Sequence, residues 1–162
     1  SQGEAASDAY MAVEKAFIAK DAAKTRTAAD QMSKDQAGHA LTARAMLMAA
    51  KAAFDAHDLD KARSALEWVV ANAKEDAVID LAKLRLAAVL MDQKQFDAAF
   101  KMVDMPKTDA YSSLFADARG DALALKGDAA GAKKAYQDAI NKLEKTAPAR
   151  QLIETKQAAL GV

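Results

Sequence analysis

The chain has 162 residues, with 23 basic and 23 acidic side chains, two prolines and no cysteine. The formal net charge is zero, so the chain lacks the excess of basic residues that is typical of nucleic-acid-binding domains. The absence of cysteine excludes disulfide bonds and thiolate chemistry. No convincing stretch alternates apolar and polar residues. The sequence therefore predicts an all-α protein without a nucleic-acid partner, folded as a single domain over residues 1–162.

The first segment, 4–36, predicts a degenerate N-terminal hairpin of two helices. In its first helix Ala9, Val13 and Phe17 recur at helical spacing, which is typical of an amphipathic helix with one buried face. Its second helix is more polar and lacks the alanine pattern of the hairpins that follow. We therefore expect this segment to be either a divergent repeat or a cap.

Three further hairpins are predicted over 40–73, 77–104 and 112–144. Each second helix carries an alanine close to the turn, namely Ala62, Ala99 and Ala132, which are 37 and 33 residues apart. Tetratricopeptide repeats have a period of about 34 residues. The pattern predicts tetratricopeptide-like helical-hairpin repeats, which form an α-solenoid.

The last hairpin also indicates how its two helices meet. Gly120 leaves room at the crossing, and Tyr136 is predicted to fill the space that remains. A final helix over 149–160, with Leu152, Ile153 and Leu160 on one side, is predicted to cap the exposed core of the last repeat.

Side chains capable of chemistry are few and scattered. His39 and His57 have no second ligand at metal spacing, and Trp68 is expected to pack into the core rather than stack on a ligand. Asp117 and Asp121 lie four residues apart on one helix face, as paired acid–base carboxylates could, but solvated groove-wall carboxylates are the favoured interpretation. We therefore predict no catalytic, cofactor or metal site, and a protein that is not an enzyme.

The predicted binding surface is the concave side of the solenoid, which the first helix of each hairpin lines. The residues assigned to this protein-binding groove are Arg44, Leu47, Lys51, Phe54, Leu81, Leu84, Ala88, Met91, Leu114, Asp117 and Asp121. Leu84 and Ala88 stand where a clamp for a partner's terminal carboxylate would need polar donors. An apolar groove suits a helix or an extended segment with bulky side chains. Alternatively, neighbouring helices of the same chain fill it.

Three stretches of the chain resemble the YfgM-like family, the ancillary subunits of the SecYEG translocon. The resemblance is best in ADARGDALALKGDAAGAKKAYQDAI, extends through DLAKLRLAAVLMDQKQFDAAFKMVD, and is looser in LMAAKAAFDAHDLDKARSALEWVV. RGDALALKGD and LAKLRLA are its specific parts. About three quarters of the chain is covered, and the first 35 residues match only weakly.

This resemblance implies the periplasmic domain of a single-pass inner-membrane protein of Gram-negative bacteria. Its implied partners are translocon subunits and a membrane-anchored periplasmic chaperone, and its implied role is to assist secreted or envelope proteins. It implies no catalytic residues and no cofactor. The membrane helix that the family carries is absent from this chain, so anchoring would belong to a longer parent. The alternatives are a holdase-like chaperone domain for unfolded clients and a homo-oligomeric scaffold.

Overall fold

The computed structural model describes every residue, Ser1–Val162, and consists of helices without a single strand. The helices are α1 (Gln2–Ile18), α2 (Ala22–Asp35), α3 (Ala40–Asp55), α4 (Leu59–Asn72), α5 (Asp76–Asp92), α6 (Phe96–Met102), α7 (Ser112–Lys126), α8 (Ala129–Asn141) and α9 (Pro148–Ala159). One 3-10 turn, Asp109–Tyr111, precedes α7. None of the helices is both long and apolar enough to cross a bilayer. The all-α prediction is confirmed.

Four hairpin turns share one backbone geometry. One or two residues after the end of each first helix, the chain has a residue in the left-handed conformation, namely Lys20 (φ 58°), His57 (φ 62°), Lys94 (φ 62°) and Gly127 (φ 96°). The amide of the following residue then donates a hydrogen bond to a carbonyl five residues earlier, as in a Schellman motif. These bonds are Asp21 to Ala16 (3.1 Å), Asp58 to Ala53 (2.9 Å), Gln95 to Leu90 (2.8 Å) and Asp128 to Leu123 (2.9 Å). Their recurrence establishes the structural repeat.

The first hairpin follows the same geometry, although its sequence lacks the alanine pattern. Asp21 caps α2 by accepting a hydrogen bond from the Lys24 amide at 3.0 Å. Thr25 occupies the position that corresponds to Ala62, and its fully buried side chain donates to the Asp21 carbonyl at 2.7 Å. Because the backbone satisfies the hydroxyl group, threonine can serve there as a small buried residue. The divergence thus lies in the side chains and not in the turn.

The chain divides into two compact units, Ser1–Ala82 and Lys83–Val162, with the boundary inside α5. In the first unit α1, α2 and α3 contact one another, and α4 packs on α3. Its largest fully buried side chains include Val13, Met32, Met46 and Val69. Burial of these apolar groups is the main source of stability for such a helical core.

In the second unit, α7 packs against α6 and α8, and α9 packs against α8. Tyr136 and Ile140 of α8 form one buried cluster with Ile153 of α9. Leu160 joins this cluster as a partly buried side chain, whereas Leu152 is 63% exposed. The expectation that Leu152 lies on the same side as Ile153 and Leu160 is therefore wrong. Leu152 lies about 100° around the helix from Ile153, on a side of α9 that faces solvent.

Candidate functional site

Asp117 and Asp121, which lie one turn apart on α7, both contact a lysine from the end of the chain. Lys156 Nζ lies 2.7 Å from Asp117 Oδ1 and 2.9 Å from Asp121 Oδ1. The ammonium group also lies 5.2 Å from the centre of the Tyr136 ring, within the range of a cation–π interaction. The hydroxyl of Tyr136 donates to Asp121 Oδ1 at 2.6 Å. We call Asp117, Asp121, Tyr136 and Lys156 the carboxylate cluster.

The burial of this cluster differs from the sequence expectation of solvated carboxylates. Only 21% of the Asp117 side chain is exposed, compared with 35% for Asp121 and 28% for Lys156. Asp117 Oδ1 accepts no well-aligned hydrogen bond, so its contact with Lys156 is chiefly electrostatic. The carboxylates thus face a cation of the same chain.

Burial and charge shift the titration of three members of the cluster. Burial raises the pKa of Asp117, and Asp121 adds to this, while Lys156 acts in the opposite direction. Burial also raises the pKa of Tyr136 well above its ordinary value, reinforced by the hydrogen bond to Asp121. For Lys156, burial lowers the pKa, but the two carboxylates outweigh it and the pKa is raised. At neutral pH the tyrosine is therefore neutral and the lysine charged.

The close approach of α7 and α8 explains how Tyr136 reaches this position. A Cβ atom added to Gly120 would overlap the Tyr136 ring, so only glycine fits under it. Tyr136 is 2% exposed, and this packing holds its hydroxyl group within hydrogen-bond distance of Asp121. This is the crossing that the sequence predicts.

Beside the carboxylate cluster lies an open depression of about 360 Å³ within the second unit. We call it the α5–α7 pocket; it is lined by Ala88, Met91, Asp92, Asp121, Ala124, Leu125 and Tyr136. Three of the predicted groove residues, Ala88, Met91 and Asp121, therefore line the same depression. Leu125 contributes an apolar side chain that is 57% exposed.

The other groove residues of the second unit lie elsewhere. Leu84 is half-buried and Leu114 is 48% exposed, and neither lines the α5–α7 pocket. Asp117 also lies outside the pocket lining and contacts Lys156. The predicted set is thus only partly brought together here.

Most of the predicted groove residues in the first unit form ion pairs or are at least partly buried within that unit. Arg44 pairs with Glu75 at 3.8 Å, and Lys51 pairs with Asp55 at 3.1 Å. Of the other three predicted groove residues in this unit, Leu47 is 9% exposed, Leu81 is half-buried and Phe54 is 42% exposed. A depression of about 570 Å³ lies nearby and is lined by Phe17, Ile18, Lys20, Ala52, Asp55 and Ala56.

Sequence reasoning missed Lys156, Asp92 and Leu125. A signal for Lys156 exists, because it lies three residues after the buried Ile153 and four before Leu160, on the same helix face. Its ion pairs link residues 39 and 35 positions apart, which no local pattern reveals.

Two other sequence expectations concern the first unit. His39 caps α3 by accepting a hydrogen bond from the Leu41 amide at 3.1 Å, and His57 occupies an exposed turn. Trp68 is only partly buried and lines a depression of about 160 Å³ together with His39 and Lys74. The expectation that it packs into the core is therefore met only in part. No group of three His, Cys, Asp or Glu side chains is placed to hold a metal ion.

Repeated helical hairpins with exposed first-helix residues define a class of scaffold for protein–protein contacts. The model of the family described as "Tetratricopeptide repeat-like domain" matches residues 1–162, and the chain belongs to this family.

Two curated relatives, each named "Ancillary SecYEG translocon subunit", support the YfgM-like resemblance. The protein from Neisseria gonorrhoeae is 31% identical over 114 residues, which cover 70% of this chain and 54% of the relative. The protein from Escherichia coli is 37% identical over 71 residues, covering 44% of this chain and 34% of the relative. The match thus spans about half of the first relative and a third of the second.

Proposed function

We propose that this chain is the periplasmic, protein-binding domain of a membrane-anchored protein that associates with the Sec translocon and with periplasmic chaperones. It would thereby assist secreted or envelope proteins and carry out no chemistry itself. The names of its relatives support the translocon association. The repeat fold supports a protein-binding role.

The observation that carries the proposal is the α5–α7 pocket. It gathers the apolar side chains Met91 and Leu125 from two different helices on an accessible surface. An open apolar depression rimmed by polar groups is typical of a protein interaction site. Within the second unit, Leu84, Leu114 and Asp117 are proposed to extend this surface along α5 and α7. The exposed groove residues of the first unit are proposed as a separate surface of that unit.

A pull-down from solubilised Gram-negative envelopes, followed by mass spectrometry, tests this function. The purified chain is expected to recover SecY or a membrane-anchored periplasmic chaperone, and Met91→Asp is expected to reduce the yield at least severalfold. Lys134→Asp, on the exposed side of α8, serves as the control and should bind like the wild type. Recovery of no translocon or chaperone protein would refute the proposal, as would indistinguishable yields from wild type and Met91→Asp.

A second candidate function, a holdase for unfolded clients, is favoured by the exposed apolar side chains of the first unit. Met11 and Ile18 on α1 are 64% and 79% exposed, and Phe54 on α3 is 42% exposed. Surfaces of this kind bind unfolded segments without sequence specificity. The holdase role predicts suppressed aggregation of a model client at near-stoichiometric ratios, and replacing Ile18 by serine should weaken it. Aggregation that proceeds unchanged at a severalfold excess of the chain would exclude this role.

A further inference from the structure

The α5–α7 pocket combines apolar walls with negative charge. Its apolar surface comes from Ala88, Met91, Ala124 and Leu125, while Asp92 and Asp121 supply two carboxylates, and no lysine or arginine lines it. Asp92 is exposed, and Asp121 retains 35% of its side-chain exposure. Lys156 offsets part of the Asp121 charge from outside the pocket, whereas no ion pair is found for Asp92. A ligand that buries apolar surface here therefore has to complement the charge of Asp92 and what remains of the charge of Asp121.

Asp121 has the capacity to receive a further donor. Its bonds from Tyr136 and Lys156 both end on Oδ1, at 2.6 Å and 2.9 Å. An ionised carboxylate offers about four lone-pair sites on two oxygens. Because neither of these bonds uses Oδ2, a further donor to Asp121 does not have to compete with Lys156 for the same oxygen.

The contacts of Lys156 show which chemistry these side chains accommodate. The ammonium group is held by carboxylates on one turn of α7 and lies 5.2 Å from the centre of the Tyr136 ring. The aromatic face and the carboxylates both favour a cation. Tyr136 and Asp121 belong at once to this arrangement and to the lining of the pocket.

We propose that the α5–α7 pocket recognises a partner segment in which an arginine or lysine is flanked by bulky aliphatic residues. The cation contacts Asp121 and Asp92, and the aliphatic side chains lie against Met91 and Leu125. A volume of about 360 Å³ is near the lower end of the roughly 300–1,000 Å³ that ligand pockets span, so it suits a few side chains. This inference rests on the proposed protein-binding role and specifies the chemistry of its partner.

The test uses two fluorescent peptides that differ at one position, one with a Leu-Arg-Leu centre and one with Leu-Gln-Leu. Their affinities for the intact chain are measured by fluorescence anisotropy at low and high salt. We expect the arginine peptide to bind about tenfold more tightly at low salt, because charge-assisted hydrogen bonds exceed neutral ones. Salt should reduce this preference, since the pocket rim is exposed to screening.

Two charge-neutralising variants locate the effect. Asp121→Asn is expected to abolish most of the preference for arginine. Because this change also removes a partner of Lys156, the exposed Asp92→Asn provides a second variant that leaves the cluster intact, with an expected loss of about two- to fivefold. Asp104→Asn removes the same charge from an exposed residue outside the pocket and should leave both affinities unchanged.

Four results with the peptides would overturn the proposal: no detectable binding, equal affinity for both peptides, an arginine preference that survives in both variants, or an equal loss in Asp104→Asn. Self-association of the chain that Asp92→Asn weakens would assign the pocket to a second copy and would also overturn it. None of these results alters the recovery of SecY or a chaperone from envelopes. The two proposals can therefore fail separately: the pocket could show no preference for arginine while the chain still recovers SecY or a chaperone.

Discussion

Replacing Lys156 by methionine removes the ammonium group from the carboxylate cluster while keeping a long side chain on α9. Exposed ion pairs contribute less than about 1 kcal/mol, whereas removing one partner of a buried pair costs about 3–5 kcal/mol. Lys156 and Asp117 are 28% and 21% exposed, which places this pair between the two limits. We therefore expect Lys156→Met to lower the free energy of unfolding by about 2 kcal/mol at pH 7.

Equilibrium denaturation in urea, followed by far-ultraviolet circular dichroism, measures this loss. A double-mutant cycle with Asp117→Asn should return a coupling energy of about 1–2 kcal/mol between the two side chains. Lys134→Met, a change at an exposed lysine of α8, is the matched control and should stay within about 0.5 kcal/mol of the wild type.

The same variant has a defined pH dependence. Because the folded-state pKa of Asp117 lies above 3.8, its burial as a carboxylate costs stability at neutral pH, and the cost disappears as the carboxyl becomes protonated on acidification. Lys156 offsets that cost, so the deficit of Lys156→Met should shrink as the pH falls toward 3.8. A deficit below about 0.5 kcal/mol at pH 7, or one that does not change with pH, would refute the electrostatic account of the cluster.

Three further substitutions test the repeat geometry and the cluster by chemical denaturation. Gly120→Ala should destabilise the protein by about 1–3 kcal/mol because the new methyl group overlaps Tyr136, whereas Gly3→Ala at an exposed site should not destabilise it. Tyr136→Phe should cost about 1–2 kcal/mol below pH 10.0. Burial, reinforced by the hydrogen bond to Asp121, raises the pKa of Tyr136 in the folded state, so the unfolded chain loses its proton first. This wild-type advantage should therefore decline as the pH rises above 10.0, and a constant difference would contradict the buried, hydrogen-bonded placement of the hydroxyl group. Lys94→Gly should stabilise the protein by about 0.5–1 kcal/mol, because glycine adopts the left-handed φ of 62° at this position without strain. Lys101→Gly inside α6 should destabilise the protein, and equal effects of the two substitutions would contradict the turn assignment.

The sequence predicts the hairpins well where a repeated steric requirement selects one residue type. The turns need a small residue on the second helix, and Ala62, Ala99 and Ala132 meet that need visibly. The first hairpin meets it with Thr25, whose hydroxyl is satisfied by its own backbone. A search for alanine alone could not recognise that substitution.

The candidate site is predicted less completely because its contacts join distant parts of the chain. The pairing of Asp117 with Asp121 on one helix face follows from their spacing, but the lysine between them comes from α9. Lys156 shares a helix face with Ile153 and Leu160, so the periodicity of α9 is sufficient to predict that Lys156 lies on the packed side of this helix. The sequence thus places a charged side chain on an otherwise apolar face of α9, but only the fold shows that Asp117 and Asp121 are its partners.

Photo-cross-linking in intact Gram-negative cells tests whether the α5–α7 pocket binds the protein's partner. A photoreactive amino acid replaces Leu125, which lines the α5–α7 pocket and is 57% exposed, with Lys134 on α8 as the control position. We expect cross-links from Leu125 to a translocon subunit or a periplasmic chaperone. These cross-links should be lost when Met91→Asp is added, and none should form from Lys134. Cross-links of equal yield from both positions, or none from Leu125, would contradict the claim that this pocket binds the protein's partner.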